Sequence, residues 1–288
     1  MRVLVLGATG MLGSAAVRVL SERPDWIVSG TVRSQDAKAL FPSDVRERLV
    51  TVEDLVEMGN LVHLFDLLEP QVVVNCTALR KSERPDPMRS ISIFSLLPQR
   101  LAHLCEQRGA RLVHVSSDGV FSGARGGYTE SDLPDATDLY GISKLLGEVA
   151  GPHAVTLRTS IIGHELGTKQ GLLEWFLAQE GECRCYTQAI FSGLPTVVLA
   201  GIIRDVVIPQ SALHGIYHVA AEPISKFDLL TLIAREYGKS IIMVPDDTVV
   251  TDRSLVADRF RDATQYVAPG WPELVSTMHS YQHYPTRV

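Results

Sequence analysis

The sequence predicts a doubly wound α/β fold, a parallel sheet wrapped on both faces by helices, with a smaller C-terminal lobe. Three observations carry this expectation. Strand-length apolar blocks alternate with helical blocks through the first half of the 288 residues, the rhythm of successive βαβ units. The runs "VLVL", "VVVN" and "LVHV" are nearly all apolar instead of alternating, as strands buried on both faces require. The first strand also runs straight into "GATGMLG", a glycine-rich turn that opens a helix.

In chain order the blocks read "RVLVLG" as a strand, "GSAAVRVLSER" as a helix, "DWIVSGTV" and "RERLVTV" as strands, and "LVHLFDLLEP" as a helix. "QVVVNCTA" follows as a strand, "PQRLAHLCEQRG" as a helix and "ARLVHVSSD" as the fifth strand. After "HAVTLRT", at residues 153–159, the rhythm changes to a short helix among irregular segments. Strand-like "GIYHVAA" then returns, followed by the helix "SKFDLLTLIAREYG", whose first turn Ser225 is placed to cap. The expected organisation is a dinucleotide-binding domain over residues 1–160, with last strands returning around 196–220, and a mainly substrate-binding lobe over 161–288. No long Gly/Ser linker divides the halves, so packed lobes with a cleft between them are expected.

The loop "GATGMLG" has the spacing G-x-x-G-x-x-G in the strand-to-helix context that a dinucleotide fingerprint needs. Gly7 suits the tight turn, Gly10 the close approach of backbone to a pyrophosphate, and Gly13 the packing of helix on strand. The helix N-terminus with its free N–H groups then faces the phosphates. At the end of the second strand, "GTVRSQD" carries no acid at Thr31 or Val32, while Arg33 and Ser34 come next. An acid there would bond the ribose 2′-hydroxyl of NAD, whereas an arginine accommodates the 2′-phosphate of NADP. NADPH is therefore the expected cofactor, with NADH weaker.

Composition narrows the partners. With 45% apolar and 21% charged residues, net charge -6 and pI about 5.8, the chain offers no basic footprint for nucleic acid and no polybasic stretch for an anionic membrane. The four cysteines, Cys76, Cys105, Cys183 and Cys185, form no C-x-x-C pair, which argues against a disulfide framework or zinc site and fits a reducing cytoplasm. No metal-ligand spacing occurs elsewhere. Glycines break the N-terminal apolar run before signal-peptide length, and no run approaches 18 apolar residues.

"DLYGISKLLGE" places Tyr140 four residues before Lys144, one above the other on a helix face. Taken alone the spacing is expected about once by chance in a chain of this size. Its setting changes that. "GATGMLG", "VNCTA", "VSSDGVFSG" and "YGISK", each on its expected strand or helix, resemble the extended short-chain dehydrogenase/reductase family, a Rossmann-fold family. Within it the chain is most similar to dTDP-4-dehydrorhamnose reductases and related sugar-nucleotide reductases. The later segments "FSGLPT", "GIYHVAAE" and "DRSLVADRFRDAT" extend the similarity along essentially the whole chain.

The resemblance implies that Tyr140 gives a proton to the carbonyl being reduced, that Lys144 lowers its pKa and binds the nicotinamide ribose, and that Ser117 bonds the substrate oxygen. Ser116 is adjacent, but alignment on Asp118 and Phe121 favours Ser117. An ammonium beside a phenol stabilises the phenolate and draws its pKa down toward working pH. The matching positions for cofactor are Gly7, Thr9, Gly10, Met11, Leu12, Cys76, Thr77 and Ala78, with Arg33, Ser34, Tyr140 and Lys144. For the nucleotide-sugar substrate they are Arg80 and Lys81, which suit a diphosphate, with Asp118, Ser160 and His164. Oligomeric state is left open, with a homodimer as the candidate.

Two positions depart from the family pattern. Gly119 stands where the reductases often carry Tyr and the related 4,6-dehydratases carry the Glu of their acid-base pair, which argues against dehydration. Phe94 stands where relatives usually have Asn. The expected activity is NADPH-dependent reduction of the 4-keto group of a nucleotide-linked 6-deoxysugar in polysaccharide precursor synthesis. The rivals are an NAD-retaining epimerase, disfavoured by Arg33, and a non-catalytic subunit like the regulatory relative of methionine adenosyltransferase, disfavoured by Ser117, Tyr140 and Lys144.

Overall fold

A computed structural model describes residues 1–79, 86–167 and 169–282. The first half alternates as expected: β1 (Arg2–Leu6), α1 (Met11–Leu20), β2 (Ile27–Val32), the single turn α2 (Ser43–Arg46), β3 (Leu49–Thr51), α3 (Met58–Leu68) and β4 (Val72–Asn75). The short α4 (Pro87–Ser90) runs through a π-helical turn at Ile91–Leu96 into α5 (Leu97–Arg108), before β5 (Arg111–Val115), α6 (Leu139–Leu146) and β6 (Ala154–Arg158). Beyond it come β7 (Ile161–Ile162), α7 (Leu172–Leu177), β8 (Glu182–Tyr186), β9 (Ala189–Phe191), β10 (Leu194–Pro195), α8 (Thr196–Ile202) and β11 (Gly215–His218). β12 (Ile224–Ser225), α9 (Lys226–Glu236), β13 (Ile242–Asp246), β14 (Thr251–Asp252), α10 (Asp258–Thr264) and α11 (Trp271–Ser280) complete the chain.

The central sheet has seven parallel strands in the order β11-β6-β5-β4-β1-β2-β3. Strand order reverses between β1 and β4, which opens a crevice at the carboxyl ends of the strands. Side chains of successive residues leave a strand on opposite faces, so the apolar runs feed two cores at once. Val3, Val5, Val72 and Val74 meet α1, α8 and α11 on one face, whereas Leu4, Leu6, Val73 and Leu112 meet α3 and α5 on the other. Within 196–220, where strands were expected to return, only Gly215–His218 is a strand. Residues 196–207 form α8 and a π-helical turn, because "TVVLAGIIRDVV" buries a helical stripe against α1. Ser225 caps α9 as expected, its hydroxyl accepting from the Asp228 N–H at 3.0 Å. Among the described residues no helix is long and apolar enough to cross a membrane.

A buried ion pair ties the crevice together. The Arg158 guanidinium at the end of β6 donates to both Glu148 carboxylate oxygens, at 2.8 and 2.7 Å, and the Ser116 hydroxyl donates to the same carboxylate at 2.8 Å. Both charged side chains are 4% exposed. Thus the ends of β5 and β6 are fixed to the segment that closes α6.

Candidate active site

The glycine loop lies in the crevice with the geometry its spacing predicts. Gly7 has φ +78°, the left-handed region that glycine adopts without a Cβ clash, and the Gly10 N–H donates to the Gly7 carbonyl at 3.0 Å. A Cβ on Gly13 would overlap the Gly7 carbonyl, so only glycine lets α1 sit this close to the turn. Gly10 caps α1 without any side-chain hydrogen bond, and the first turn of Met11 and Leu12 carries no acid. That leaves the helix end, with Thr9 in the turn beside it, suited to an anion. A Cβ on Gly7 would lie 3.0 Å from Thr77 Cα and 3.1 Å from the Cys76 carbonyl oxygen, so the end of β4 forms the second wall. Asn75 holds this wall by accepting the Thr77 N–H at 3.1 Å and its hydroxyl at 2.7 Å, which turns exposed Ala78 outward.

At the end of β2 Thr31 is buried and serves the loop, accepting the Gly7 N–H on its hydroxyl at 3.1 Å and the Ala8 N–H on its carbonyl at 3.0 Å. Arg33 and Ser34 follow as exposed residues, and the Ser34 hydroxyl accepts the Ala37 N–H at 3.4 Å. The residues present therefore fit a dinucleotide, with Arg33 exposed just beyond the end of β2. Burial pushes the Cys76 thiol up to about 12 against the opposing pull of Lys144, which disfavours the thiolate.

Lys144 and Tyr140 enter from α6. Asp138 starts this helix by accepting the Gly141 N–H at 3.0 Å. Lys144, 4% exposed, donates its ammonium to the Val115 carbonyl at the end of β5, at 2.7 Å. Two residues on, Ser117 and the Tyr140 ring border one small space. A Cβ on Gly119 would lie 2.9 Å from Tyr140 Cε1 and 3.2 Å from Ser117 Oγ. Gly119 thus gives the Tyr140 ring its room, and a side chain there would have to displace it. Phe94, in the π-helical turn, meets Tyr140 edge-on, and Ser95 holds the turn on α6 by donating to the Ser143 carbonyl at 2.8 Å.

On the outer side of Ser117 lies a charged cluster. The Ser117 hydroxyl donates to Asp118 Oδ1 at 3.1 Å and accepts the Gly119 N–H at 3.0 Å. Burial pushes the Asp118 carboxyl up to about 6, against the Ser117 bond, the Arg253 charge and a bond from Ser160. Burial also holds Lys226 below the usual lysine range, with Asp118 pulling it up and Arg253 pushing it down. The Nε of Arg253 is buried without a hydrogen-bond partner among the described residues. Asp118 and Ser160, expected at the substrate, are therefore together beside Ser117. Lys226 and Arg253 are additions from the distant β12-α9 and β14 segments, and no spacing in the sequence points to either.

His164 has a different setting. Its Nδ1 lies 2.8 Å from Glu174 and its Nε2 3.0 Å from the Tyr237 hydroxyl, beside a cleft lined by Arg18, Thr196 and Met278. Both ring nitrogens are thus engaged with protein groups. Arg80 and Lys81 lie outside the described residues.

Similar sequences occur among proteins of known role. The probable low-salt glycan biosynthesis reductase Agl14 of Haloferax volcanii is 27% identical over 279 residues, 92% of this chain and 87% of the relative. The dTDP-4-dehydrorhamnose reductase of Aggregatibacter actinomycetemcomitans is 26% identical over 82% of this chain and 79% of the relative. Methionine adenosyltransferase 2 subunit beta of Danio rerio is 29% identical over 82% of this chain and 74% of the relative. Among solved structures, dTDP-4-dehydrorhamnose reductase from Bacillus anthracis in complex with NADP superimposes with a TM-score of 0.77 at 21% identity, covering 97% of this chain and 98% of that one, which establishes the shared fold. The family model described as the RmlD substrate binding domain matches residues 1–257, and the chain belongs to that family of sugar-nucleotide enzymes.

Proposed function

We propose that this protein catalyses NADPH-dependent reduction of the 4-keto group of a nucleotide-linked 6-deoxysugar, dTDP-4-dehydrorhamnose or a UDP-2-acetamido-4-keto sugar, as a step in polysaccharide precursor synthesis. The observation that carries the reading is the shared space of Ser117 and Tyr140 beside Gly119, with Lys144 anchored behind it on Val115. Bound NADPH supplies the hydride. Tyr140 passes its phenolic proton to the carbonyl oxygen, the Lys144 ammonium stabilises the phenolate that remains, and Ser117 orients the carbonyl. Arg33, at the end of β2, favours NADPH over NADH. Asp118, Ser160, Lys226 and Arg253 border the sugar side. The reading places the protein in the cytoplasm with a nucleotide sugar as its partner.

Similarity to a methionine adenosyltransferase subunit, together with an apolar Phe94 packed on Tyr140, supports a second reading, a cofactor-binding subunit without turnover. One experiment separates them. Purified protein and NADPH are incubated with 4-keto sugars made in situ from dTDP-glucose and UDP-N-acetylglucosamine. Oxidation of NADPH with a reduced sugar as product supports the reductase. Cofactor binding without oxidation on either substrate defeats it and supports the subunit.

A further inference from the structure

The single hydroxyl proton of Ser117 is already committed within the protein. A serine hydroxyl has one proton to donate and two lone pairs to accept with. Its proton goes to Asp118 Oδ1 at 3.1 Å, and one lone pair takes the Gly119 N–H at 3.0 Å. While Asp118 is a carboxylate, which only accepts, Ser117 has no proton left for a substrate carbonyl. Once Asp118 is protonated its O–H donates to the second lone pair of Ser117, and the serine proton turns outward.

We infer that Asp118 is a positioning residue that sets the direction of the Ser117 hydroxyl, so that Ser117 donates to the substrate only while Asp118 carries a proton. The charged and titratable groups facing Asp118 are Arg253 from the β14 segment and Lys226 from α9, with the Tyr140 ring of α6 bordering the neighbouring Gly119. Ser160, following β6, supplies a further bond to the carboxyl. Burial outweighs these influences and brings the carboxyl up to about 6, where a switch operates close to neutrality. No covalent bond is made or broken between heavy atoms in this step: one proton is taken up from water by Asp118 and the Ser117–Asp118 hydrogen bond reverses direction.

The inference rests on the proposed reductase reading for its effect on turnover, but the Ser117–Asp118 coupling is testable on the protein alone. The Asp118 carboxyl is titrated by carbon-13 NMR in the full chain and in Ser117→Ala. The expected midpoint lies above the ordinary carboxylate range and rises by about one unit in Ser117→Ala, since a bond to the charged form is removed. A midpoint in the ordinary range, or one unmoved in Ser117→Ala, overturns the inference. In a second arm kcat/KM for the keto sugar is followed from pH 5 to pH 8 in wild type and Asp118→Asn. Wild type loses about 10²-fold as pH rises through the Asp118 midpoint, the cost of one oxyanion donor. In Asp118→Asn, whose amide does not titrate, that limb disappears. An unchanged limb in Asp118→Asn overturns the inference while leaving the reductase reading intact. Absence of turnover at every pH defeats the reductase reading, and the carboxyl titration then decides the coupling by itself.

Discussion

The ring of Phe94 meets the ring of Tyr140 edge-on, with centroids 5.3 Å apart and planes at 89°, and the Lys144 ammonium lies 5.5 Å from the centroid of the same Phe94 ring. One apolar side chain therefore touches both members of the Tyr-Lys pair. Phe94 is 2% exposed, and the π-helical turn that carries it approaches α6 so closely that a Cβ on Gly147 would overlap the Phe94 carbonyl. An edge-on aromatic contact contributes about 0.5–1.5 kcal/mol beyond its burial and fixes ring orientation. The consequence is a Tyr140 ring held from one side by Phe94 and given room on another by Gly119.

Cofactor choice is the first test. With no carboxylate at Thr31 or Val32 and Arg33 exposed just beyond β2, a 2′-phosphate should gain a charge-assisted hydrogen bond, and NADPH should bind about ten- to one-hundred-fold more tightly than NADH. Arg33→Ala loses most of that preference by weakening NADPH alone, and in wild type the preference shrinks as salt rises. Titration of both cofactors against both proteins checks this. Equal wild-type affinities would remove Arg33 from the site.

Lys144→Met damages catalysis and cofactor affinity together. The ammonium is anchored on the Val115 carbonyl, close enough to Cys76 for its charge to act there, and under the proposed mechanism it serves both the phenol and the cofactor. Calorimetry that finds NADPH affinity unchanged while turnover falls would confine Lys144 to tuning the phenol.

Much of this architecture was legible in sequence, for a physical reason. Apolar runs and glycine spacing are local, so "VLVL" and "GATGMLG" declare themselves within a few residues, whereas Tyr140/Lys144 stands out only beside the other motifs. The cluster around Asp118 is not local: Lys226 and Arg253 reach it only because α9 and β14 fold back over the end of β5. Nor does "SISIFSL" announce a π-helical turn, since its apolar pattern suits an ordinary helix equally well. Of the stretch 196–220 only Gly215–His218 is a strand, because the β-branched run before it lies on a buried helix face against α1, and such a run looks like a buried strand until its partner is known.

Glu148→Gln should be strongly destabilising. It removes one charge from a bidentate pair with both side chains 4% exposed and leaves Arg158 buried without a counter-charge, at a cost of roughly 3–5 kcal/mol. Urea unfolding should show a lower midpoint with an unchanged slope. A midpoint equal to wild type would mean that His218, whose Nε2 lies 3.4 Å from the guanidinium, satisfies Arg158 without Glu148.

Stability should also respond to pH through opposed buried groups, histidines on one side and Asp118 on the other. Burial and the Arg158 charge hold His218 down to about 4, so between about 4 and the unfolded value near 6.5 the unfolded chain binds the extra proton and stability falls on acidification. Asp118, brought up to about 6 from 3.8, acts the other way: between those values the native state binds the extra proton, and acidification restores stability. Burial and the Lys144 charge hold His114 well below the ordinary histidine range as well, which adds to the His218 side. Asp118→Asn removes the opposing carboxyl contribution, so unfolding free energy should fall more steeply from pH 6.5 to pH 4 than in wild type. Parallel curves for the two proteins would contradict the placement of Asp118.

Tyr140→Phe isolates the proposed proton transfer, because it removes the phenolic proton while keeping the ring that packs on Phe94 and Gly119. The measurement is the rate of NADPH oxidation by wild type and Tyr140→Phe with a 4-keto sugar nucleotide, alongside calorimetric affinity for NADPH. Turnover should be lower by roughly 10²- to 10⁴-fold in the mutant, as for a lost general acid, with cofactor affinity barely changed. Equal rates in the two proteins would contradict it.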